Sequence, residues 1–562
     1  MTFPLSACNN VEKESSSDTE SSSTSSSTTD SVSPEDEAVA LVMANHPDAE
    51  ILEVVEGEDG AISVTYRVSG QTGVFTKTDG AVQWSMLSSF WDNFPSYEEV
   101  QAKYPDKTVL VWTIEETLYE RHSPFHVDKV NEYLDEQGCD FAVCFYPLRF
   151  DYDIDTMYPD KALTMIKELL DGGERIDIIS AMNYDEFVFD GMLEQLDGYL
   201  ETDVGRVLYG AFPEKLWETL RINGGIYGVS GYMSRIPCPD PGYYVNAELA
   251  EKYNYDVTKP VLEQLDILKA VKENEKKIDV FSSYSDFDSI IYFMNAKMLS
   301  RTVYWNSETH SAELSIDNPV YIEGLRMYDT LKREGVLKLT DTSHSENFFI
   351  RADQISGGGV VYADTDTVDV DYFGNTVTAI PVFTTYSTVR TVPLATGICS
   401  KSADKEKAFE LLAKIFTDPV LNNLLVYGVE GENYILENGI VKELELPPDM
   451  EGFNINAMNT IRFANQMICH RSEDNLLTPE QYVKIFENAE VFADYDFALD
   501  PKNILNELNA EYNAADNISL PEDDQTLDEV LAAYREGLYA AGVQTIIDEC
   551  NRQYEVYKNE KN

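Results

Sequence analysis

The stretch Lys107–Ser180 opens on KTVLVWT (107–113), reaches FAVCF at 141–145 and ends on IDIIS at 176–180; its reading decides the fold. Each apolar run is the length of a buried strand. Between them lie an amphipathic helix through His126–Glu136 and a second helix over Lys161–Leu170. Strands alternating with helices at this spacing predict parallel β-α-β units in a doubly wound sheet, an α/β class. A second alternating region runs from about Tyr243 to Ile380, with helices near Leu262–Glu275 and Val320–Glu334. From Asp404 onward helical periodicity dominates.

Working back toward the N-terminus, Pro34 to about Gly80 reads as a small α+β unit. A helix over Glu35–Asn45 is followed by strands at Ile51–Val55, Ile62–Val68 and Gly73–Thr78, with turns at GEDG (57–60) and TDG (78–80). Helix, His46-Pro47 break and short strands ending in DGAVQW resemble the small PepSY-like modules of secreted bacterial proteins. The expected organisation is therefore 1–33 as leader and tether, 34–95 as this module, and 105–562 as the main body.

The tether is a tract from Ser15 to Ser33 that is almost entirely Ser and Thr, too polar to form a core. Just before it, Leu5-Ser6-Ala7-Cys8 matches the lipobox of bacterial lipoproteins, which makes Cys8 the expected lipidation site. An export signal needs an apolar stretch of roughly 7 to 15 residues before its cleavage site. Only Met1–Ala7 precede Cys8, so the expectation is a start upstream of Met1.

At 562 residues, 43% hydrophobic and 11% aromatic, the chain has length for about three or four ordinary domains. Lys+Arg 42 against Asp+Glu 100 gives a net charge of −58, which repels phosphate backbones and argues against a nucleic-acid partner. No run after Cys8 approaches the roughly 18 apolar residues of a membrane span. Beyond Cys8 the cysteines stand at 139, 144, 238, 399, 469 and 550 without paired C-x-x-C spacing. Cys139 and Cys144 are close enough in sequence to bridge a helix-to-strand turn; two separately buried thiols are the reading adopted.

A chain of motifs in the main body resembles the extracellular solute-binding lipoproteins of bacterial ABC importers, the large sugar-binding type. IDIIS (176–180) with MLEQLDGYLE (192–201), NGGIYGVSG (223–231) and YYVNAELAEKYNYD (243–256) match in order. So do GGGVVYAD (357–364), TAIPV (378–382) and SKSADKEKAFELLAKIFTDP (400–419). LNNLLVYGVEGENYIL (421–436) is the most distinctive. Ser230 stands where that family usually has Pro.

The resemblance implies a periplasmic-binding-protein-like fold of two α/β lobes. Lobe 1 would span about 105–235 plus part of the C-terminal helices, and lobe 2 about 243–380. A carbohydrate, as an oligosaccharide, would be held between them and passed to ABC permease subunits. It further implies a monomer on the outer face of the cytoplasmic membrane of a Gram-positive cell, attached through lipid only, with no cofactor. A hinged ligand stabilises closure only by touching both lobes.

Sugars present hydroxyls and apolar C–H faces, so their sites need aromatic rings and carboxylates or amides. Trp112, Glu115 and Glu116 follow the first buried strand, and Asn183, Tyr184 and Asp185 follow the strand at 176–180; carboxyl ends of strands are where open α/β sheets bind ligands. Tyr227, Tyr232 and Tyr243 lie in or beside the expected crossover. Tyr304 and Trp305 belong to the second lobe, one expected to face inward and its neighbour outward, and Glu430 sits on a Gly-flanked loop. Each has a competing role in packing.

Signatures of enzymes are thin. H-E-x-x-H, G-x-S-x-G and the phosphate-binding G-x-x-x-x-G-K-[ST] are missing, and Gly357–Gly359 reads as a turn into a strand over Val360–Tyr362. Adjacent Glu115 and Glu116 point apart, unlike a glycosidase pair. His122 and His126 have i, i+4 spacing, but Pro124 breaks the helix that would align them on a metal. Peptide or other polar-solute binding, and a surface glycoside hydrolase, stand as the competing functions.

Overall fold

The computed structural model describes residues 33–45, 50–56, 61–68, 71–78, 81–87, 95–116, 127–149, 160–181, 183–231, 241–284, 294, 296–340, 347–354, 368–372, 375–381, 395–444, 465–472, 478–488, 494–522 and 524–561. Cys8, the Ser/Thr tract through 32, His122, His126, Tyr232, Cys238 and the 357–359 glycines lie outside them. The chain divides into two compact units, 1–93 with 446–451, and 94–445 with 452–562.

In the first unit the helix Pro34–Asn45 precedes four strands, Glu50–Glu56, Ile62–Val68, Gln71–Thr78 and Ala81–Leu87, paired as an antiparallel meander in chain order. Alternation explains the second strand: Ile62, Val64 and Tyr66 point to one face and are buried with Ala38 and Val42 of the helix. The last strand exceeds the expected three. AVQWSML continues the ladder from Thr78↔Ala81 to Thr72↔Leu87 and adds a fourth strand to the meander.

Among the described residues the second unit has a four-stranded and a six-stranded sheet, one for each lobe, beside a three-stranded sheet and two two-stranded hairpins. In lobe 1 the order is Ala395–Ile398, Ile178–Ala181, Thr108–Glu116, Phe141–Arg149. The last three are parallel, with Thr108↔Phe141 running in register to Glu116↔Arg149 and Trp112↔Ile178 on the other edge. Val109 through Ile114 are all buried, as both faces of a parallel sheet demand. Asn131 on the crossover helix Val127–Glu136 locks that helix to the sheet, donating to Val143 O at 2.9 Å and accepting from Val143 N at 2.7 Å.

Lobe 2 has six strands in the order Leu337–Thr340, Asp279–Tyr284, Phe348–Gln354, Pro241–Asn246, Asn375–Pro381, Val368–Tyr372. The first three are parallel; Pro241–Asn246 runs antiparallel to both its neighbours, so the sheet is mixed. Helix Pro319–Arg333 starts where Asn318 accepts from Val320 N and Pro319 fills the first turn. It buries Tyr321, Leu325, Tyr328 and Leu331, the stripe that its sequence spacing predicts.

The C-terminal helices are shared between the lobes. Lys405–Thr417 and Pro419–Tyr427 pack with lobe 1, whereas Leu505–Ala515, Leu527–Ala540 and Val543–Lys561 join the core of lobe 2 through Leu508, Leu531, Ile546 and Tyr554. Among the described residues the chain changes lobe between 231 and 241, between 381 and 395, and between 488 and 499. No described helix is long and apolar enough to cross a membrane.

Candidate ligand site

The carboxyl ends of the lobe 1 strands lead to a short helix, Tyr184–Phe189, and the residues expected there are mostly committed to structure. Tyr184 is fully buried; its hydroxyl donates to Leu220 O at 3.0 Å and accepts from Tyr227 N at 2.8 Å. Asn183 donates through Nδ2 to Asp160 Oδ2 at 2.5 Å. Tyr227 is half-buried, and its ring lies so close over Gly225 that a Cβ there would sit 2.7 Å from it. Trp112 is in the sheet core, 5.3 Å from the Phe145 ring, with Nε1 donating to Ser180 Oγ at 3.0 Å. That burial takes it out of reach of a ligand. Glu115 and Glu116 end the first strand, and their side chains are outside the described residues.

Asp185 differs, because it is half-buried and its charge meets one from the other lobe. Burial pushes its carboxyl up, and Lys297 of lobe 2 pulls it back down. Reciprocally, burial lowers the Lys297 ammonium to about 8, against the opposing pull of Asp496, Asp185 and Asp494. Behind Asp185, Glu186 accepts from Asp160 N at 3.0 Å and is raised by burial to about 8. Burial thus disfavours charge on all three carboxyls at this end of lobe 1, Asp160, Asp185 and Glu186.

On the lobe 2 side, Lys297, Tyr304, Trp305, Asn306, Glu308, Asn318, Asp494 and Tyr495 line a cavity of about 300 Å³. Three short strands carry the first members: Lys297–Met298, Val303–Asn306 and Ser311–Leu314 pair antiparallel, with Lys297 opposite Trp305. Tyr304 and Trp305 are both buried, contrary to the expected alternation. Trp305 packs on Tyr554 of the C-terminal helix at 4.4 Å and on Phe497 at 5.2 Å, so the outward face of that strand is covered as well. Its indole Nε1 is buried without a hydrogen-bond acceptor among the described residues. The Tyr304 hydroxyl donates to Glu313 at 2.9 Å.

Asp494 accepts from Tyr554 Oη at 2.9 Å and sits 2.9 Å from His310 Nδ1. Such a wall offers carboxylates and amides beside aromatic surface, the chemistry that hydroxyl-rich ligands require. A larger depression, about 590 Å³, is lined by Tyr97, Lys107, Thr108, Arg175 and Asp404. It lies at the amino end of the Thr108–Glu116 strand, the wrong end of an α/β sheet for a ligand.

Two expected residues fall elsewhere. Tyr243 is packed edge-on to Phe281 with its hydroxyl 3.7 Å from Met327 Sδ, under the Pro319–Arg333 helix. Glu430 is exposed at the hairpin of Tyr434–Glu437 and Ile440–Glu443, where its charge acts on Tyr434 and His470. Lys297, Asp494 and Tyr495 escaped the sequence reading; the local cue was DYD (494–496), a polar-aromatic interruption within a region read as helical. Among the described residues no cluster of three His, Cys, Asp or Glu is arranged to hold a metal. Cys139 and Cys144 are free thiols, the former half-exposed and the latter buried.

No family model matches the chain. A Streptococcus pneumoniae serotype 4 protein named carbohydrate ABC transporter substrate-binding protein is 23% identical over 419 residues, 69% of this chain and 81% of its own length. A crystal structure of the N-glycan transport solute-binding protein NgtS from the same species superposes with TM-score 0.57 at 19% identity, covering 81% of this chain and 100% of that one. The chain has the two-lobe solute-binding-protein fold. NgtS in complex with Man1GlcNAc gives TM-score 0.53 at 18% identity, over 80% and 99% of the two chains. Within the solute-binding fold, Asp185 of lobe 1 and the Lys297–Asp494 wall of lobe 2 stand on either side of the junction between lobes.

Proposed function

We propose that the protein is the extracellular solute-binding component of an ABC importer, capturing a carbohydrate, as an oligosaccharide, between its lobes. The carrying observation is the cavity wall of Tyr304, Trp305, Asn306, Glu308 and Asp494 at the lobe junction of a solute-binding fold. Asp494, Glu308 and Asn318 accept hydroxyl protons, Tyr304 and Trp305 supply apolar surface, and Asp185 contributes from lobe 1. A ligand contacting both sides favours the closed form; one held by lobe 2 alone leaves the equilibrium unmoved.

In the same reading Cys8 carries a lipid, and the Ser/Thr tract spaces the folded part of the chain from the outer face of the membrane. The protein acts as a monomer with permease subunits as partners and has no catalytic role. Calorimetric titration with a panel of free oligosaccharides, followed by peptides, tests this. One-site saccharide binding with a negative heat-capacity change is expected. Binding of peptides with no saccharide bound, or release of cleaved sugar, would overturn it.

A further inference from the structure

We infer that Lys297 is a positioning residue that couples the crossing segment 494–498 to the strand carrying Tyr304 and Trp305, so that movement of lobe 1 reaches the ligand cavity. The inference rests on the cavity being the ligand site, as proposed above.

Three successive carbonyls of the crossing segment are divided between the lobes. Asp496 O accepts from Asn223 N at 2.8 Å, and Asn223 Oδ1 accepts from Ala498 N at 3.4 Å. Asn223 belongs to lobe 1: it turns the Arg221–Ile222 and Gly225–Ile226 hairpin in the left-handed region, with φ 46°. That hairpin is tied to Asp197 through Ile226 N, and Val229 just beyond it exchanges hydrogen bonds with Thr396 of the lobe 1 sheet. The carbonyls on either side of Asp496 go the other way. Lys297 Nζ donates to Tyr495 O at 2.8 Å and to Phe497 O.

Lys297 is 4% exposed and pairs across the ladder with Trp305. An ammonium buried this deeply is costly unless its protons find acceptors. Its partners here are main-chain atoms of the segment that lobe 1 also grips, so the crossing segment cannot shift without moving the lysine and its strand. The charges around it come from every side: Asp494 and Asp496 on the segment and Asp185 on lobe 1. Asp494 is in turn held by His310 and Tyr554, and Asp496 by Tyr557 and Lys561. A second tie keeps the lobes together when Lys297 is changed: Lys502 donates to Phe189 O and pairs with Asp190 at 3.2 Å.

The test is a double-mutant cycle read by amide hydrogen exchange on the full chain without ligand. Asn223→Gly keeps the left-handed turn and removes the acceptor for Ala498 N. Paired with Lys297, this change is expected to speed exchange of the amides at 303–306 by about threefold or more. In a Lys297→Met background it is expected to change them less than about twofold. A lysine that merely stabilises the fold raises exchange additively, and equal effects of Asn223→Gly in both backgrounds, or none in either, would overturn the coupling. If the Met variant fails to fold, Lys297→Gln, which keeps a donor for one carbonyl, carries the same comparison. Failure of every saccharide to bind removes the sugar reading yet leaves this result standing, because exchange is measured without ligand.

Discussion

Tyr184 and Tyr227, 43 residues apart, share one buried hydroxyl: Tyr227 N donates to it at 2.8 Å and it donates onward to Leu220 O at 3.0 Å. The phenol thereby fastens the short helix at the end of the lobe 1 sheet to the NGGIYG turn. Tyr184→Phe strands both backbone partners. Each unsatisfied group costs about 1–3 kcal/mol, so the variant is expected to lose about 2 kcal/mol or more, read as a lower urea midpoint at unchanged m-value.

Asp177 holds the sheet in a similar way from its other end. Fully buried, it accepts from Val111 N at 2.9 Å, from Ser402 Oγ at 2.5 Å and from Arg175 Nε at 2.7 Å. Asp177→Ala leaves the Val111 amide and the Ser402 hydroxyl without their acceptor and takes from Arg175 one of its two carboxylates, Asp404 being the other. The expected loss is about 1–3 kcal/mol, the cost of leaving a buried backbone amide unsatisfied, visible as a drop in Tm.

Glu186 sets a pH dependence. Burial raises it from 4.5 to about 8, so between these values the folded protein holds a proton that the unfolded chain has released. Stability contributed by this group is fully present below about pH 4.5 and is lost as pH rises through about 8. Glu186→Gln retains an acceptor for Asp160 N and has nothing to titrate. Denaturation midpoints of the variant are expected to fall less steeply from pH 5 to 8 than those of the parent; parallel profiles would contradict the assignment.

Asp494 and Trp112 separate binding from packing. Asp494→Ala removes a cavity carboxylate and is expected to weaken saccharide binding by about tenfold, one charge-assisted hydrogen bond's worth. Trp112→Phe removes the bond to Ser180 Oγ inside the lobe 1 core. Its expected effect is a stability loss of about 1–2 kcal/mol with affinity held within about twofold, measured by paired calorimetry and thermal melts.

Local physics made much of the fold legible. The runs at 108–113, 141–145 and 176–180 read as parallel strands because a sheet buried on both faces needs unbroken apolar sequence, and they form adjacent strands of one sheet. The helix expected near Val320–Glu334 forms over Pro319–Arg333, within one residue of those bounds. The fourth strand of the small unit was less visible, since whether AVQWSML pairs depends on the strand beside it. Tyr304 and Trp305 were expected as site residues on opposite faces of a strand, and alternation misjudged their exposure, because a helix about 250 positions later covers the second face.

The sequence by itself determined the solute-binding architecture, through strand and helix periodicities and a series of motifs in order, since those depend on neighbours within a few residues. Only the tertiary structure decided which aromatics are core and which face the cavity, how the C-terminal helices divide between lobes, and that Lys297 meets Tyr495 and Phe497. Those outcomes rest on contacts made across some 200 positions, between Lys297 and carbonyl groups that every residue carries, and a backbone acceptor leaves no mark in the side-chain sequence.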